Sequence, residues 1–394
     1  MQKREVVVVS GVRTAIGGYG GSLKGHAPHT LATLVADEAI KRAGVAPEAI
    51  GHSVFGNVLP TEPRDAYLAR VAAVEAGVPE ATPAMGVNRL CGSGLQAILT
   101  AAQQIELGIN KAVIAGGAES MSRAPYQLPA GRFGQRMGDG VMVDPVVGAL
   151  HCPFNRIHMG VTAENVAEKY GITREQQDDL AALSHNRAQK AIEEGRFQDQ
   201  ILPVEIKSRK GVVSFDTDEH VRFNCSAADM ASLKPVFKKD GTVTAGNASG
   251  MNDAAAAIVM MDREEAEAQG IKAMAKLVDY SVVGVDPKIM GIGPVPAISE
   301  VLERNGLSVN DIDVYEVNEA FAAQALAVCQ QLDLPMDRVN PNGSGISLGH
   351  PIGATGAVIT VKALYELERV NGRYAMVSLC IGGGQGIAAL FERV

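Results

Sequence analysis

The sequence contains no tryptophan and little of any aromatic residue, since phenylalanine and tyrosine together make up 4% of its 394 residues. Cysteine is also scarce. The five cysteines are Cys91, Cys152, Cys225, Cys329 and Cys380, and no two of them form a C-x-x-C pair. Their odd number in a chain of this size argues against a disulfide framework and favours a reducing compartment.

Long apolar runs and an excess of basic charge are missing as well. No window provides the roughly 18 consecutive apolar residues that a membrane-spanning helix needs, and the four valines at 6–9 are too few for a signal peptide. The net charge of −8 excludes a broad basic surface for nucleic acid. The densest basic cluster, KSRKG at 207–211, is interpreted as a solvated loop, with a phosphate contact as the alternative. We expect a cytoplasmic protein without nucleic-acid or membrane partners.

What the chain does contain is an alternation of short β-rich runs and helical stretches. The predicted order is a strand at 5–10, a helix at 31–43 closed by Gly44, a strand at 52–55, a helix at 66–76 and a strand at 111–115. This alternation is typical of βαβ units with a mainly parallel sheet, so the predicted class is α/β.

The middle of the chain has a different texture. Prolines and glycines interrupt residues 120–249, which we interpret as an inserted, loop-rich subdomain. Within it, a capping box at Thr173 and Gln176 predicts a long helix that ends at Gly195. Alternation resumes at 252–261, where NDAAAAIVMM is interpreted as a helix that leads into a strand.

The last third of the chain repeats a plan already present in the first. Residues 91–120 and 350–386 each place a reactive side chain before glycines, an amphipathic helix, a charged turn, an apolar strand and further glycines. This internal match predicts a duplicated half. Cys91 and His350 would then occupy corresponding strand-to-helix corners and point at the same face of the joined sheets.

Several side chains at these corners are suited to covalent chemistry. Cys91 is followed by Gly92 and Gly94 at the start of a predicted helix, where unpaired N–H groups favour a thiolate. His350, in the turn NGSGISLGHPIGATGA, is the candidate base, although a histidine satisfying loop hydrogen bonds is the alternative. Cys380 precedes IGGGQG, whose backbone N–H groups suit an oxyanion pocket, and Asn318 ends a strand where it would cap a helix or hold a water.

Six motifs spread over the whole chain resemble those of the thiolases, the acetyl-CoA acetyltransferases and 3-ketoacyl-CoA thiolases. They are NRLCGSGLQA, GGAESMS, TAGNASGMNDAAAA, NEAFAAQA, NPNGSGISLGHPIGATGA and CIGGGQG. The resemblance is greatest to the bacterial biosynthetic and β-ketothiolase type. It implies two pseudo-symmetric βαβαβαββ halves in layered αβαβα order. The halves would be residues 1–119 with 250–272 and residues 273–394, with 120–249 inserted over coenzyme A.

The resemblance also implies a ping-pong mechanism in which Cys91 carries the acyl group. His350 would activate Cys91, and Cys380 would act as the second acid and base. One oxyanion site would use His350 and a water held by Asn318, and the other the N–H groups of Cys91 and Gly382. Coenzyme A would be a co-substrate, and no metal or permanently bound cofactor is expected. The reaction would be reversible thiolysis of 3-ketoacyl-CoA or condensation of acetyl-CoA with acyl-CoA.

Further residues are expected to contact the substrate by the same resemblance. They are His158, Met159, Arg222, Phe237, Ala245, Ser249, Met290, Ala320 and Phe321. Asp229 stands where many relatives have serine, which puts the contact on the adenine side in doubt. The family forms dimers and often tetramers, so a homotetramer is expected. Chain-length preference and the physiological direction of the reaction are open.

Other readings of the same residues lead to other functions. GSGLQA at 92–97, followed by Glu119, also fits a dinucleotide fingerprint and thus a dehydrogenase, but polar Asn88 and Arg89 stand where an apolar strand is required. A non-catalytic acyl-CoA-binding relative would be expected to lose one of the three reactive residues. A ketoacyl synthase would pair its cysteine with two histidines, or with histidine and asparagine. A strict acetoacetyl-CoA-forming acetyltransferase is the narrower alternative within the thiolases.

Overall fold

The computed structural model of the protein describes residues 4–208 and 211–394, so Arg209 and Lys210 of the basic cluster lie outside the described residues. Within these two ranges, no helix has both the length and the apolar character needed to cross a bilayer. The strands are β1 Val6–Thr14, β2 Gly17–Gly18, β3 His52–Gly56, β4 Ala84–Val87, β5 Ala112–Ser120, β6 Ile201–Leu202, β7 Val204–Ser208, β8 Gly211–Phe215, β9 Asn252–Asp262, β10 Ala275–Gly284, β11 Val314–Val317, β12 Tyr374–Ile381 and β13 Gln385–Arg393.

The α-helices fall between these strands. They are α1 Pro28–Ala43, α2 Leu68–Glu75, α3 Ser93–Glu106, α4 Pro145–Ala149, α5 Met159–Tyr170, α6 Arg174–Glu193, α7 Ala227–Ala231, α8 Arg263–Ala268, α9 Pro294–Asn305, α10 Ala322–Leu332, α11 Gly345–Leu348 and α12 Thr355–Arg369. Short 3₁₀ turns, such as Pro63–Tyr67 before α2, connect several of them.

All strands except β7 and β8 form one mixed sheet with two related halves. Its order is β11-β12-β13-β10-β1-β9-β5-β3-β4, and the halves meet where β1 and β10 pair antiparallel. Tyr315 of β11 forms a parallel bridge with Val339, so the chain at Val339 lies at the outer edge of the second half. It occupies the position that β4 has at the outer edge of the first half. Each half therefore reads βαβαβαββ along the chain, which confirms the predicted duplication.

The sheet halves and helices form layers because the strands are apolar on both faces. In β12, Ala375, Val377 and Leu379 belong to the large central cluster, which also contains residues of α3 and α12. Met376, on the opposite face of β12, packs with residues of α9 and α10 in a second cluster. The helices α3 and α12 thus lie between the two halves of the sheet, and α9 and α10 cover the second half from outside.

The two central helices approach each other closely through glycine. A Cβ atom on Gly94 would lie 2.6 Å from the backbone nitrogen of Ala357, and one on Gly356 would lie 2.3 Å from that of Leu95. Both distances are shorter than real Cβ contacts, so any side chain at either position would force the helices apart. The pairing is reciprocal, as expected for two copies of one corner related by a pseudo-twofold axis.

One prediction of secondary structure was wrong. The alanine-rich segment at 252–261 is strand throughout, within β9, rather than a helix leading into a strand. Every residue of β9 is buried, and its neighbours are β1 on one side and β5 on the other. Alanine favours helices in isolation, but small side chains here let helices pack closely on a central strand, and that tertiary packing overrides the local propensity.

Two helix-end predictions were confirmed. Gly44 closes α1 in the left-handed conformation, at φ 63°. Thr173 and Gln176 form the predicted capping box of α6. Between β5 and β9 the chain carries helices α4 to α7 and the separate β7–β8 hairpin. Of the described residues in this segment, only the two-residue strand β6 joins the main sheet. The predicted division into two halves and an inserted subdomain stays a prediction.

Candidate active site

The corners that carry Cys91 and His350 open onto one cavity of about 240 Å³. Its walls are mainly apolar, and part of them comes from the segment between β5 and β9. Ten of the fourteen predicted site residues line it: Cys91, His158, Met159, Phe237, Ser249, Met290, Ala320, Phe321, His350 and Gly382. Residues far apart in the sequence are therefore brought together.

Cys91 is a neutral thiol in the resting site. Burial raises its pKa to about 11, and the charge of Glu119 acts in the same direction. The backbone N–H groups of Gly382 and of Cys91 itself point at the sulfur and oppose this rise. The expectation of a helix-stabilised thiolate was wrong, because desolvation outweighs the two N–H groups. A base must therefore remove the proton when Cys91 attacks.

A strained turn presents Cys91 to the cavity. Leu90 has φ 47°, a left-handed conformation that branched side chains rarely adopt. Asn88 accepts the N–H of Leu90 through Oδ1 at 3.0 Å. The hydroxyl of Ser93 donates to the Leu90 carbonyl at 2.7 Å and accepts the N–H of Arg89 at 2.8 Å. Sequence reasoning missed Ser93, whose only signal was a hydroxyl two residues after the reactive cysteine.

His350 forms hydrogen bonds through its backbone N–H and through one ring nitrogen. Its N–H donates to Oδ1 of Asn252 at 2.9 Å, and Nδ1 lies 2.7 Å from Oγ1 of Thr355. The other ring nitrogen, Nε2, is buried and has no hydrogen-bond partner among the described residues. Burial lowers the pKa of His350 to about 4, so the imidazole is neutral near pH 7. A neutral imidazole with a free nitrogen can accept a proton.

Asn318 and Cys380 lie behind the cavity wall rather than on its surface. The amide nitrogen of Asn318 is 3.4 Å from Nδ1 of His350, a long contact, and its Oδ1 has no partner in the described part of the chain. Cys380 is fully buried near the end of β12 and packs with Met159 and Met290. Burial and the neighbouring Cys91 raise the pKa of Cys380 above its usual range, so it too carries its proton.

An aromatic wall stands across the cavity from this corner. The ring of His158 stacks on Phe237 with centroids 4.7 Å apart, and Phe321 meets Phe237 edge-on at 6.3 Å. Gly160 leaves room for this arrangement, since a Cβ there would lie 2.3 Å from the Phe237 ring. Burial and the nearby His151 lower the pKa of His158 and keep it neutral. The result is a flat apolar surface suited to an extended, uncharged chain.

Two of the predicted contacts lie outside the cavity. Arg222 and Ala245 are exposed, and the backbone N–H of Arg222 donates to Nδ1 of His185 at 3.1 Å. Asp229 accepts from the N–H and the hydroxyl of Ser226, so its carboxylate closes the N-terminus of α7. The roles of all three in binding the nucleotide end of coenzyme A stay predictions.

Glu119 is a second residue that sequence reasoning missed as part of this site. It is fully buried at the end of β5 and has no cationic partner within hydrogen-bond reach among the residues that the structure describes. Its carboxylate instead accepts the amide of Asn57 and the N–H groups of Val58, Leu59 and Gly353, at 2.8–3.1 Å. Burial raises its pKa to about 8. Glu119 therefore ties a loop of the first half to the turn that carries His350.

These contacts also explain the apparent dinucleotide fingerprint. Gly94 is required by the packing of α3 on α12 rather than by an approaching pyrophosphate. Glu119 is enclosed by backbone donors and cannot reach a ribose. The geometry therefore gives no support to the dehydrogenase reading.

The assembled groups are those of acyl transfer. A thiol, a neutral imidazole with a free nitrogen and a pair of backbone N–H groups face one apolar cavity, and a second thiol lies beside the first. Among the described residues, no three potential metal ligands from histidine, cysteine, aspartate or glutamate are grouped together. That the reaction uses no metal or bound cofactor stays a prediction.

Comparison with known proteins identifies the class. Residues 6–264 match the thiolase N-terminal domain and residues 271–393 the thiolase C-terminal domain. The chain therefore belongs to the thiolase family and has the thiolase fold. It is similar to the beta-ketothiolase BktB of Cupriavidus necator, with 67% identity over 99% of this chain and 100% of that protein.

Solved structures agree with this assignment. The acetyl-CoA acetyltransferase of Bacillus anthracis matches with a TM-score of 0.97 and 49% identity over the full length of both chains. Human mitochondrial 3-ketoacyl-CoA thiolase in complex with CoA matches with a TM-score of 0.96 and 43% identity, covering 99% of this chain and 98% of that one.

Proposed function

We propose that this chain is an acyltransferase that catalyses reversible thiolysis of 3-ketoacyl-CoA and, in reverse, condensation of acetyl-CoA with acyl-CoA. The observation that carries the proposal is the meeting of Cys91, His350 and the N–H group of Gly382 at one apolar cavity. It is further supported by the similarity to a beta-ketothiolase and to acetyl-CoA acetyltransferases.

In the first half of thiolysis, Cys91 attacks the 3-keto carbon of the substrate while Nε2 of His350 takes the thiol proton. The bond between the second and third carbons then breaks, leaving an acyl group on Cys91 and the enolate of acetyl-CoA. Cys380 gives its proton to the enolate carbon, and acetyl-CoA leaves. The thioester oxygen of the acyl-enzyme would face the N–H groups of Cys91 and Gly382, a donor pair of the kind worth about 10²–10³ in kcat for each donor.

In the second half, the thiolate of Cys380 takes the proton of the incoming CoA thiol. The CoA sulfur attacks the acyl carbon on Cys91, and acyl-CoA forms. Cys91 leaves as a thiolate and recovers its proton from His350, which restores the resting enzyme. Each of the two proton carriers contributes roughly 10²–10⁴-fold by general acid–base catalysis.

We propose that the pantetheine arm of coenzyme A lies against the wall formed by His158, Met159 and Phe237, with Ser249 nearby. Met290, Ala320 and Phe321 would surround the acyl end. Arg222 and Ala245 would contact the nucleotide end outside the cavity. The flat and neutral aromatic wall suits an uncharged chain, and a CoA complex is known for the human mitochondrial relative.

The substrate range is tested by steady-state thiolysis with 3-ketoacyl-CoA substrates of four, five and six carbons. We expect parallel lines in double-reciprocal plots against CoA, as a ping-pong mechanism requires. Comparable kcat/KM for all three lengths supports a broad β-ketothiolase. Activity on acetoacetyl-CoA alone supports the strict acetyltransferase, and absence of thiolysis with every substrate refutes the proposal.

We propose that the protein assembles as a homotetramer through the arm formed by residues 126–143. Gln127 and Val143 pair at the base of the arm through two backbone hydrogen bonds of 2.8–2.9 Å. Beyond them, Phe133 and Met137 are 90% and 92% exposed. Large exposed apolar side chains of this kind mark contacts with another protein surface.

The contact is tested by replacing Phe133 and Met137 together by serine. The molar mass of the assembly, measured by light scattering, should then fall below that of a tetramer. A variant that remains a tetramer would refute this contact.

We also propose a cytoplasmic location and the division into residues 1–119 with 250–272, 120–249 and 273–394. The free thiols of all five cysteines fit a reducing compartment. The concentration of loops and short helices between β5 and β9 supports the inserted unit. Protease treatment that cuts first within 120–249 would agree with this division, whereas first cuts within α3 or α12 would contradict it.

A further inference from the structure

The pair formed by His350 and Thr355 indicates how the base is kept in a productive form. Thr355 is the first residue of α12 and is buried. Its Oγ1 lies 2.8 Å from the carbonyl oxygen of Pro351 and 2.7 Å from Nδ1 of His350. A single hydroxyl hydrogen can serve only one of these two neighbours.

The carbonyl of Pro351 can only accept, and threonine in a helix commonly donates to the carbonyl four residues earlier. When the Thr355 hydroxyl donates in that direction, its oxygen is free to accept from Nδ1–H of His350. We propose that Thr355 is a positioning residue, which keeps the hydrogen of His350 on Nδ1 and thereby leaves Nε2 free to take the proton of Cys91.

Two observations favour this direction of the hydrogen bond over its reverse. If the hydroxyl donated to Nδ1, the hydrogen of the neutral ring would be on Nε2. That N–H would be buried with no acceptor among the described residues, and buried N–H groups without a partner are rarer than buried acceptors without one. The reverse arrangement would also fail once His350 is protonated, because both ring nitrogens then carry hydrogen and Thr355 must accept.

No other described group is placed as well to accept a hydrogen bond from Nδ1–H of His350. The amide nitrogen of Asn318 is 3.4 Å from Nδ1, which is longer than a normal hydrogen bond, and a nitrogen cannot accept from Nδ1–H. A neutral hydroxyl also orients the ring without adding charge. The buried His29 is held differently, since its Nδ1 meets the carboxylate of Asp65 at 2.7 Å. Because the partner of His350 is a hydroxyl rather than a carboxylate, no negative charge on that partner favours protonation of the His350 ring.

The inference rests on the proposed role of His350 as the base for Cys91. Thr355→Val keeps the shape of the side chain and removes the acceptor. We expect kcat for thiolysis to fall about 10- to 100-fold with KM nearly unchanged, a loss similar to that seen when the partner that orients a metal-binding histidine is removed. The rate at which iodoacetamide alkylates Cys91 should fall by a similar factor, and Thr355→Ser should restore both rates.

A matched control lies on the same helix. Thr360 is also fully buried and donates to the carbonyl of Gly356 at 2.7 Å, but it does not contact His350. Thr360→Val should therefore keep the wild-type kcat. If both valine variants lose activity equally, or if Thr355→Val stays within twofold of wild type, the inference is wrong. If Thr355→Val does not fold, Thr355→Ala is measured by the same criteria.

His350→Ala separates this inference from the proposed function. A fully active His350→Ala variant means that His350 is not the base, and the proposed mechanism fails. An inactive His350→Ala together with an unaffected Thr355→Val leaves the mechanism standing and removes only Thr355 from it. Faster alkylation of Cys91 in Thr355→Val would show that the hydroxyl donates to Nδ1 and holds the ring in the unproductive form.

Discussion

The corner of Cys91 and the corner of His350 are built on the same plan but have opposite chemical environments. Each precedes a central helix, and each is closed by a buried hydroxyl that donates to a carbonyl within the corner, Ser93 to Leu90 and Thr355 to Pro351. At the first corner, N–H groups point at the reactive atom. At the second, an oxygen accepts from the ring. The same scaffold therefore supports an acyl carrier in one half and a base in the other.

Burial shifts the pKa values of Cys91 and His350 in opposite directions, and each shift favours the neutral form of the side chain. It raises the pKa of Cys91 to about 11 and lowers that of His350 to about 4. Both are neutral near pH 7, and no thiolate–imidazolium pair forms in the resting site. The proton must move during attack, so the nucleophile becomes charged only when a substrate is present.

The largest expected effect is the loss of activity when Cys91, rather than Cys380, is replaced. Cys91→Ser should lower both thiolysis and condensation by about 10⁴-fold or more, because a serine hydroxyl is a far weaker nucleophile with the same base. Initial rates in both directions are the measurement. Cys329→Ser is a control, since Cys329 is a free thiol on α10 that packs in the second cluster with α9, away from the cavity. Full activity of Cys91→Ser would contradict the assignment.

Replacing the second thiol should slow turnover without blocking acylation. Cys380→Ser is expected to lower kcat by about 10²–10⁴-fold, the contribution of one acid–base group. Some transfer of an acetyl group from acetyl-CoA to Cys91 should persist, since His350 still activates Cys91 and a CoA thiolate can leave, more slowly, without a proton from Cys380. Unchanged kcat, or loss of acylation in the folded variant, would break the proposed division of roles.

The pseudo-twofold contact predicts a smaller effect, on stability. Gly356→Ala would place Cβ 2.3 Å from the backbone nitrogen of Leu95 and should lower the free energy of unfolding by about 1–3 kcal/mol. Gly148→Ala is the matched control, because a Cβ there meets nothing within 4 Å. Urea denaturation of both variants is the test. Equal stability of the two would mean that the close approach of the helices is not required.

The neutral pair predicts a flat pH profile. Acetylation of Cys91 by acetyl-CoA needs His350 unprotonated, and above its own pKa Cys91 attacks as a preformed thiolate. The rate should therefore fall on the acid side only near pH 4, and it should rise on the alkaline side only near pH 11, where Cys91 loses its proton without the base. An inflection near pH 8 that Glu119→Gln removes would belong to Glu119. An acid limb at pH 6.5 would indicate that His350 is not desolvated.

The internal repeat predicted the two corners because helix, strand and glycine patterns are local and survive in the sequence. The strand character of β9 could not be predicted in the same way, since it depends on neighbours from both sides of the sheet. The pKa of Cys91 was predicted with the wrong sign because burial cannot be judged from a helix N-terminus. Glu119 and Thr355 were missed because their partners, Gly353 and His350, are recognisable only when the turn at 350–355 is in place.

The most direct test of the account is to find where the acyl group goes. The protein is incubated with acetyl-CoA, quenched in acid, digested with trypsin and analysed by mass spectrometry. Cys91 and Cys380 fall in different tryptic peptides, 90–111 and 374–393. The account predicts one acetyl group on peptide 90–111 and none on 374–393. Acetyl on the peptide of Cys380 alone, or on neither peptide in active enzyme, would contradict it.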